Sequence, residues 1–286
     1  MTTPSFVLQL TGVGQPRRYQ VRTTTAVQVG QTKMENELLS VVECTLLSKN
    51  AHGYVLQMEV LHAVQKNVDL FTQVAADVNL ATRLLVLQTD PYGQLLRVEN
   101  QPAVLRTWEE MRKTIQAKYA AQPTVRPFLD AFEQQLATPG SLEPGLRDKG
   151  VHGALLVGVY GQAYHPQAPV LTKRTIAGFF HDIDLPLVVS TTARTGERTA
   201  LQDTVQVTAT ATLDADAFAA TDFRRLMRSI VDDYAFPVVL ELDHAAEHLL
   251  DGQTGALLRS KQRLRAEVPG IYHNAVTYDV FPQPAP

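Results

Sequence analysis

Residues 204–213 alternate without a break. Val205, Val207, Ala209, Ala211 and Leu213 fall on one side, and Thr204, Gln206, Thr208, Thr210 and Thr212 on the other. A period of two places successive side chains on opposite faces of a strand. Such a segment buries one face and wets the other, which is the habit of antiparallel sheets. The same pattern governs the start of the chain. Tyr19, Val21 and Val27 oppose Arg18, Gln20, Arg22 and Gln28, while Tyr54, Leu56, Met58 and Val60 interleave with Val55, Gln57 and Glu59. Gly12, Gly14, Gly30 and the stretch from Asn50 to Gly53 punctuate these runs as turns. Further strands are expected at 170–180, 185–195, 237–243, 255–267 and 271–281.

Three segments follow a different period. Val104, Leu105, Trp108, Met111, Ile115 and Tyr119 recur at steps of three and four, opposite Glu109, Glu110, Arg112 and Lys113. This spacing predicts an amphipathic helix over 102–121, started near Asn100 and Pro102 and stopped by Pro123. A second helix is expected over 124–138 from Val125, Phe128, Leu129, Phe132 and Leu136. A third, over 221–234, carries Phe223, Leu226, Met227, Ile230, Val231 and Tyr234. Residues 67–82 fit either a short helix or an irregular strand. The Pro- and Gly-rich stretch 139–150 is the candidate boundary between a β-rich unit with a helical pair (1–140) and a second β-rich unit with one helix (141–286), with one continuous domain as the alternative.

The pentapeptide Gly93-Gln-Leu-Leu-Arg97 recurs as Gly255-Ala-Leu-Leu-Arg259, each copy after an Asp-containing turn. A four-of-five match is expected about once by chance in a chain this long. The order of elements around it is what suggests a duplication. That reading requires strands 94–99 and 256–263 to occupy equivalent places.

The function classes narrow by exclusion. A net charge of −3, with Lys and Arg scattered, gives no footprint for nucleic acid. No run approaches the ~18 apolar residues of a membrane span. The start of the chain has no basic segment followed by an apolar one, so a cytoplasmic protein is expected, with the periplasm the alternative if a leader is removed. Cys44 is the single cysteine and reads as a buried thiol on a strand. Thr11-Gly-Val-Gly-Gln15 lacks the third glycine of a dinucleotide fingerprint, and no other cofactor motif is present, so none is expected. His152, Gly153, Gly158 and Gly161 read as backbone accommodations, with a glycine-lined ligand wall as the alternative. His181-Asp-Ile-Asp184 reads as a turn between strands. His244-Ala-Ala-Glu247-His248 matches an inverted zinc-protease motif, with His244 and His248 as metal ligands. Zinc chemistry needs both histidines on one helical face, whereas the flanking residues here read as strand.

Tyr160-Gly-Gln-Ala-Tyr164, Leu185-Pro-Leu187 before a strand, Leu213-Asp214 before a helix, and Leu250-Asp-Gly-Gln-Thr-Gly255 carry a resemblance. With a helical pair midway along an antiparallel sheet, the chain resembles the half-barrel carriers of the lipoprotein-localisation type. It is also similar to an uncharacterised bacterial β-rich family of about this length. The resemblance implies an apolar, lipid-binding concavity covered by helices.

The expected fold is therefore α+β: a large curved antiparallel sheet, half-barrel-like or built of two repeated units, with three amphipathic helices packed on one face. The expected function is a non-enzymatic binding protein that holds an apolar small molecule or lipid under a helical lid, with Trp108, Met111, Phe128 and Phe132 as ligand-binding residues. One alternative is a structural or adaptor subunit of a larger bacterial assembly, using strand edges and the Pro-rich tail after Phe281 as protein contacts. The other is a zinc-dependent hydrolase acting through His244, Glu247 and His248.

Overall fold

The computed structural model describes residues 5–165, 168–196 and 203–284. The last residues of the tail and the first four of the chain lie outside them. The α+β class and the large antiparallel sheet are as expected. Among the described residues eleven strands run in the order β6-β5-β4-β3-β2-β13-β12-β11-β10-β9-β8, from one edge strand to the other. In chain order they are β2 (Pro16–Val29), β3 (Thr32–Asn50), β4 (Gly53–Gln65), β5 (Leu84–Thr89), β6 (Leu95–Val98), β8 (Val170–Phe180), β9 (Ile183–Thr195), β10 (Thr204–Leu213), β11 (Glu241–Asp251), β12 (Leu257–Val268) and β13 (Tyr272–Gln283). A separate two-stranded ladder joins β1 (Phe6–Val7) to β7 (Ala163–Tyr164). The Val238–Leu240 run, expected as strand, precedes β11 without pairing: the ladder begins at Glu241, four residues after Pro237.

The chain forms two compact units, and β2 and β3 contribute residues to both. The first comprises residues up to Leu10, Val21–Glu37 and Val159–Pro282. Its sheet is wet on one face, where Thr192 bonds Thr208 at 2.8 Å and Arg194 bonds Gln206. The opposite face of β8–β13 is apolar and receives α6 (Ala220–Val231). Phe223 and Met227 of α6 enter a core with Ile176, Phe180, Leu185 and Leu187. The Phe180 ring meets Phe223 at 4.7 Å and Tyr272 at 5.5 Å. β8 and β9 are joined through His181 and Asp182, with His181 left-handed at φ 60° and the Asp184 carboxylate accepting from the Gly178 N–H. This is the turn expected there.

The second unit comprises Thr11–Gln20, Leu38–Gly158 and the end of the chain. It carries five helices: α1 (Leu70–Asn79), α2 (Gln101–Lys118), α3 (Val125–Ala137), α4 (Glu143–Asp148) and α5 (Gly150–Leu155). The ambiguous stretch 67–82 is helical because Asp69 and Thr72 form a reciprocal capping box. Asp69 Oδ1 accepts from the Thr72 N–H, and Thr72 Oγ1 from the Asp69 N–H, both at 2.8 Å. Asn100 precedes α2 as expected but caps nothing. Its amide bonds the β5 backbone instead, accepting from the Val86 N–H at 2.8 Å and donating to the Leu84 carbonyl at 3.0 Å.

Residues 139–150, expected as a boundary, hold α4, and α4 protects a sheet edge. β6 has a strand partner on one side only. On its other side Glu143 accepts from the Val98 N–H at 2.8 Å, and Arg147 donates to the Leu95 carbonyl at 3.2 Å. Two side chains thus stand in for a missing strand, which blunts an edge otherwise open to pairing with another chain. Glu143 is 5% exposed, so Glu143→Ala leaves the Val98 N–H buried without a partner. We expect a loss of about 1–3 kcal/mol in urea denaturation, with faster aggregation.

The recurring pentapeptide does not mark a repeat. Leu95–Val98 is a four-residue edge strand, whereas Leu257–Val268 lies between β11 and β13. What recurs is a turn. Asp90 Oδ1 accepts from the N–H groups of Tyr92 and Gln94, and Asp251 Oδ1 from those of Gln253 and Thr254. The glycine of each copy takes a positive φ, 88° at Gly93 and 66° at Gly255. Similar turn chemistry selects similar residues in two unrelated places.

Candidate functional site

The histidine motif lies on a strand. His244, Ala246 and His248 occupy one face of β11, and Glu247 points to the exposed opposite face. Strand residues four apart are separated by about 13 Å along the chain axis. The carboxylate therefore cannot stand beside a metal held by both rings. Among the described residues no group of three or more His, Cys, Asp or Glu side chains is placed to hold a metal ion. His248 is buried, and its Nδ1 shares a 2.9 Å hydrogen bond with Ser260 Oγ, which also accepts from Gln262 at 3.0 Å. Ser260 is 1% exposed, so this serine–histidine pair is closed to a substrate.

Burial lowers the pKa of His248 to about 4, aided by the neighbouring His244 and Arg174. Burial and Arg174 do the same to His244, and burial alone to His152 on α5, each to about 4. These rings fold neutral, whereas in the unfolded chain they protonate near pH 6.5. Their contribution to stability is complete above pH 6.5. It declines as pH falls toward 4, by up to about 1.4 kcal/mol per pH unit for each ring. We expect urea midpoints to be flat from pH 8 to 7 and to fall steeply below pH 6, less steeply in His152→Phe.

Trp108 and Met111 lie on α2 and Phe128 and Phe132 on α3, with unequal exposure. Trp108 is fully buried, and its ring stands edge-on to Phe132 with centroids 5.0 Å apart. Met111 is half-buried and Phe128 is 38% exposed. Arg112 on α2 and Glu133 on α3 form an ion pair that ties the two helices together. Leu85 and Leu87 of β5 and Leu136 of α3 are also sealed from solvent.

An open site lies elsewhere in the same unit, beside α1. The β4–β5 ladder ends at Glu59↔Leu84, and the Val60 N–H is donated to the Arg83 carbonyl at 2.9 Å. Beyond that point β4 continues to Gln65 with β3 as its strand partner, and α1 stands where β5 would have been. The strand and the helix leave a groove of about 500 Å³ between them. Leu38, Val60 and Leu61 wall it on the strand side, and Val68, Ala76 and Leu80 on the helix side. Val68 and Leu80 are 62% and 52% exposed. The core stripe of α1 is Val74 and Val78, so Leu80 and Val68 are apolar residues that the core does not use. That surplus is legible in the sequence once 67–82 is taken as helix, and sequence reasoning missed it.

The charged groups of the groove are paired. Asp77 Oδ2 accepts from Lys118 Nζ at 2.6 Å and from the Tyr119 hydroxyl at 2.7 Å. Arg83 lies 3.0 Å from Glu59. The Asp77 pairing raises the pKa of Lys118.

A solved structure concerned with lipid–protein interactions in lipovitellin superposes with a TM-score of 0.49 at 10% identity, covering 96% of this chain. The chain spans about a quarter (26%) of the length of that one. No family model matches the sequence, and no curated protein does. Among the described residues no helix is long and apolar enough to cross a membrane.

Proposed function

We propose that this chain is a non-enzymatic binding protein whose ligand is an apolar small molecule or lipid held in the groove between β4 and α1. The observation that carries the reading is the groove itself. Its volume of about 500 Å³ falls within the range of small-molecule sites, roughly 300–1,000 Å³. Apolar side chains line it from both sides, among polar ones, and large apolar side chains stand exposed at Val68 and Leu80 without serving the core. On this reading the ligand sits beside α1, and Trp108 and Phe132 act in packing.

The test uses N-phenyl-1-naphthylamine, an uncharged probe that fluoresces in apolar surroundings. We expect saturable binding to the purified protein, and a co-purifying apolar adduct in native mass spectrometry. Ala76→Trp fills the groove from the helix side and is expected to weaken probe binding at least ~10-fold, about 1.4 kcal/mol. Phe128→Ala, outside the groove, leaves it unchanged. Probe binding that is absent, or indifferent to Ala76→Trp, sinks the proposal.

A further inference from the structure

The groove is lined by apolar and neutral polar side chains, and the charges at its wall are paired. A carboxylate or phosphate brought into such a place loses water and needs a cation in return. Two cations stand near. Arg83 lines the groove but is engaged by Glu59 at 3.0 Å. Lys118 is engaged by Asp77 at 2.6 Å. Lys66 lies outside the lining, and of the lining residues His62 is the one remaining group able to carry positive charge. A cationic ligand fares no better, because the one lining carboxylate, Asp77, already accepts from Lys118 and Tyr119. Three neutral primary amides, Gln65, Gln73 and Asn79, line the same space. Amides offer both donors and acceptors, which suits hydroxyl and ester oxygens.

We infer that the groove selects an uncharged amphiphile, of the monoacylglycerol or fatty-alcohol class, against the corresponding fatty-acid anion. The inference rests on the binding function proposed above and adds the chemistry of the ligand's head. Specificity of this kind arises from what the site withholds. The anion meets a wall whose cations are already neutralised, while the neutral head finds hydrogen-bonding groups without a charge to desolvate.

The experiment displaces N-phenyl-1-naphthylamine with monomyristoylglycerol and with myristate at pH 8.5. Monomyristoylglycerol is expected to compete at least ~10-fold more strongly than myristate. Glu59→Gln frees Arg83 at the groove wall, and the Glu59 pair is exposed enough that its loss costs the fold little. In that variant the preference is expected to narrow by at least ~5-fold through gain of myristate binding, with monomyristoylglycerol unchanged. Equal competition by the two amphiphiles, or tighter binding of myristate to the unaltered protein, overturns the inference and leaves the binding function standing. If the probe itself does not bind, the binding function fails too. A dimer in sedimentation that Leu80→Arg splits, with no amphiphile competing, assigns the groove to a second copy of the chain and overturns both.

Discussion

Trp108→Ala is expected to remove about 3–5 kcal/mol of stability, measured by urea denaturation followed by circular dichroism. The indole is fully buried and meets Phe132 edge-on at 5.0 Å, so truncation leaves a large cavity and a ring without its partner. The loss is partly offset, because the indole N–H is buried with no hydrogen-bond partner among the described residues. Phe128→Ala, at a site 38% exposed, should cost less than about 1 kcal/mol. The pair of variants also separates packing from binding. At a temperature where Trp108→Ala is still folded, its affinity for the naphthylamine probe should stay within about twofold of the parent. A tenfold loss of affinity there would return the ligand to the α2–α3 pair.

Gly53→Ala is expected to be as damaging. Gly53 opens β4 at φ 133°, in a region closed to other residues, and a Cβ there would sit 2.0 Å from the Thr89 carbonyl oxygen. Thr89 is fully buried, and the atom in the way is backbone, so the neighbour cannot swing aside. Either the β3–β4 turn or the end of β5 must move. We expect a loss of at least ~3 kcal/mol and a fall in Tm on the order of 10 °C. Gly140→Ala is the control. Its φ is 79° but nothing lies within 4 Å of the new methyl, so it suffers only the ~1–2 kcal/mol of a left-handed L-residue. If both variants melt together, backbone strain and not the close approach governs Gly53.

The strands of the first unit were largely legible because one face of the sheet is wet. Residues 204–213 and 170–180 coincide with β10 and β8, and in β10 the threonines on the outer face make the period visible. The α2 and α3 stripes were legible for the same reason. Elsewhere the signal was hidden. The helical character of 70–79 depends on Asp69 and Thr72 closing a box, a two-residue signal inside a stretch of mixed periodicity. α4 and α5 are too short to show a period, and their prolines and glycines imitate a linker. The groove could not be read at all before the register was known. It exists because β5 stops opposite Glu59 while β4 runs on, and strand length is set by tertiary pairing, not by local preference. The histidine motif shows the converse. Its spacing is right for zinc on a helix and wrong on the strand the chain forms.

The position of β2 in the sheet carries a consequence for how the molecule comes into being. β2 lies between β3 and β13, and β13 is made long after β2. A ribosome therefore releases β2 with one hydrogen-bonding edge satisfied early by β3 and the other waiting until β13 has emerged. The core of the first unit waits as well, because Val159–Pro282 must return to Val21–Glu37. Contacts so distant in sequence fold slowly. The half-made chain meanwhile displays an open strand edge and an apolar sheet face at cellular concentrations, where such surfaces find one another. The vulnerable interval for this fold runs from the pairing of β2 with β3 to the arrival of β13.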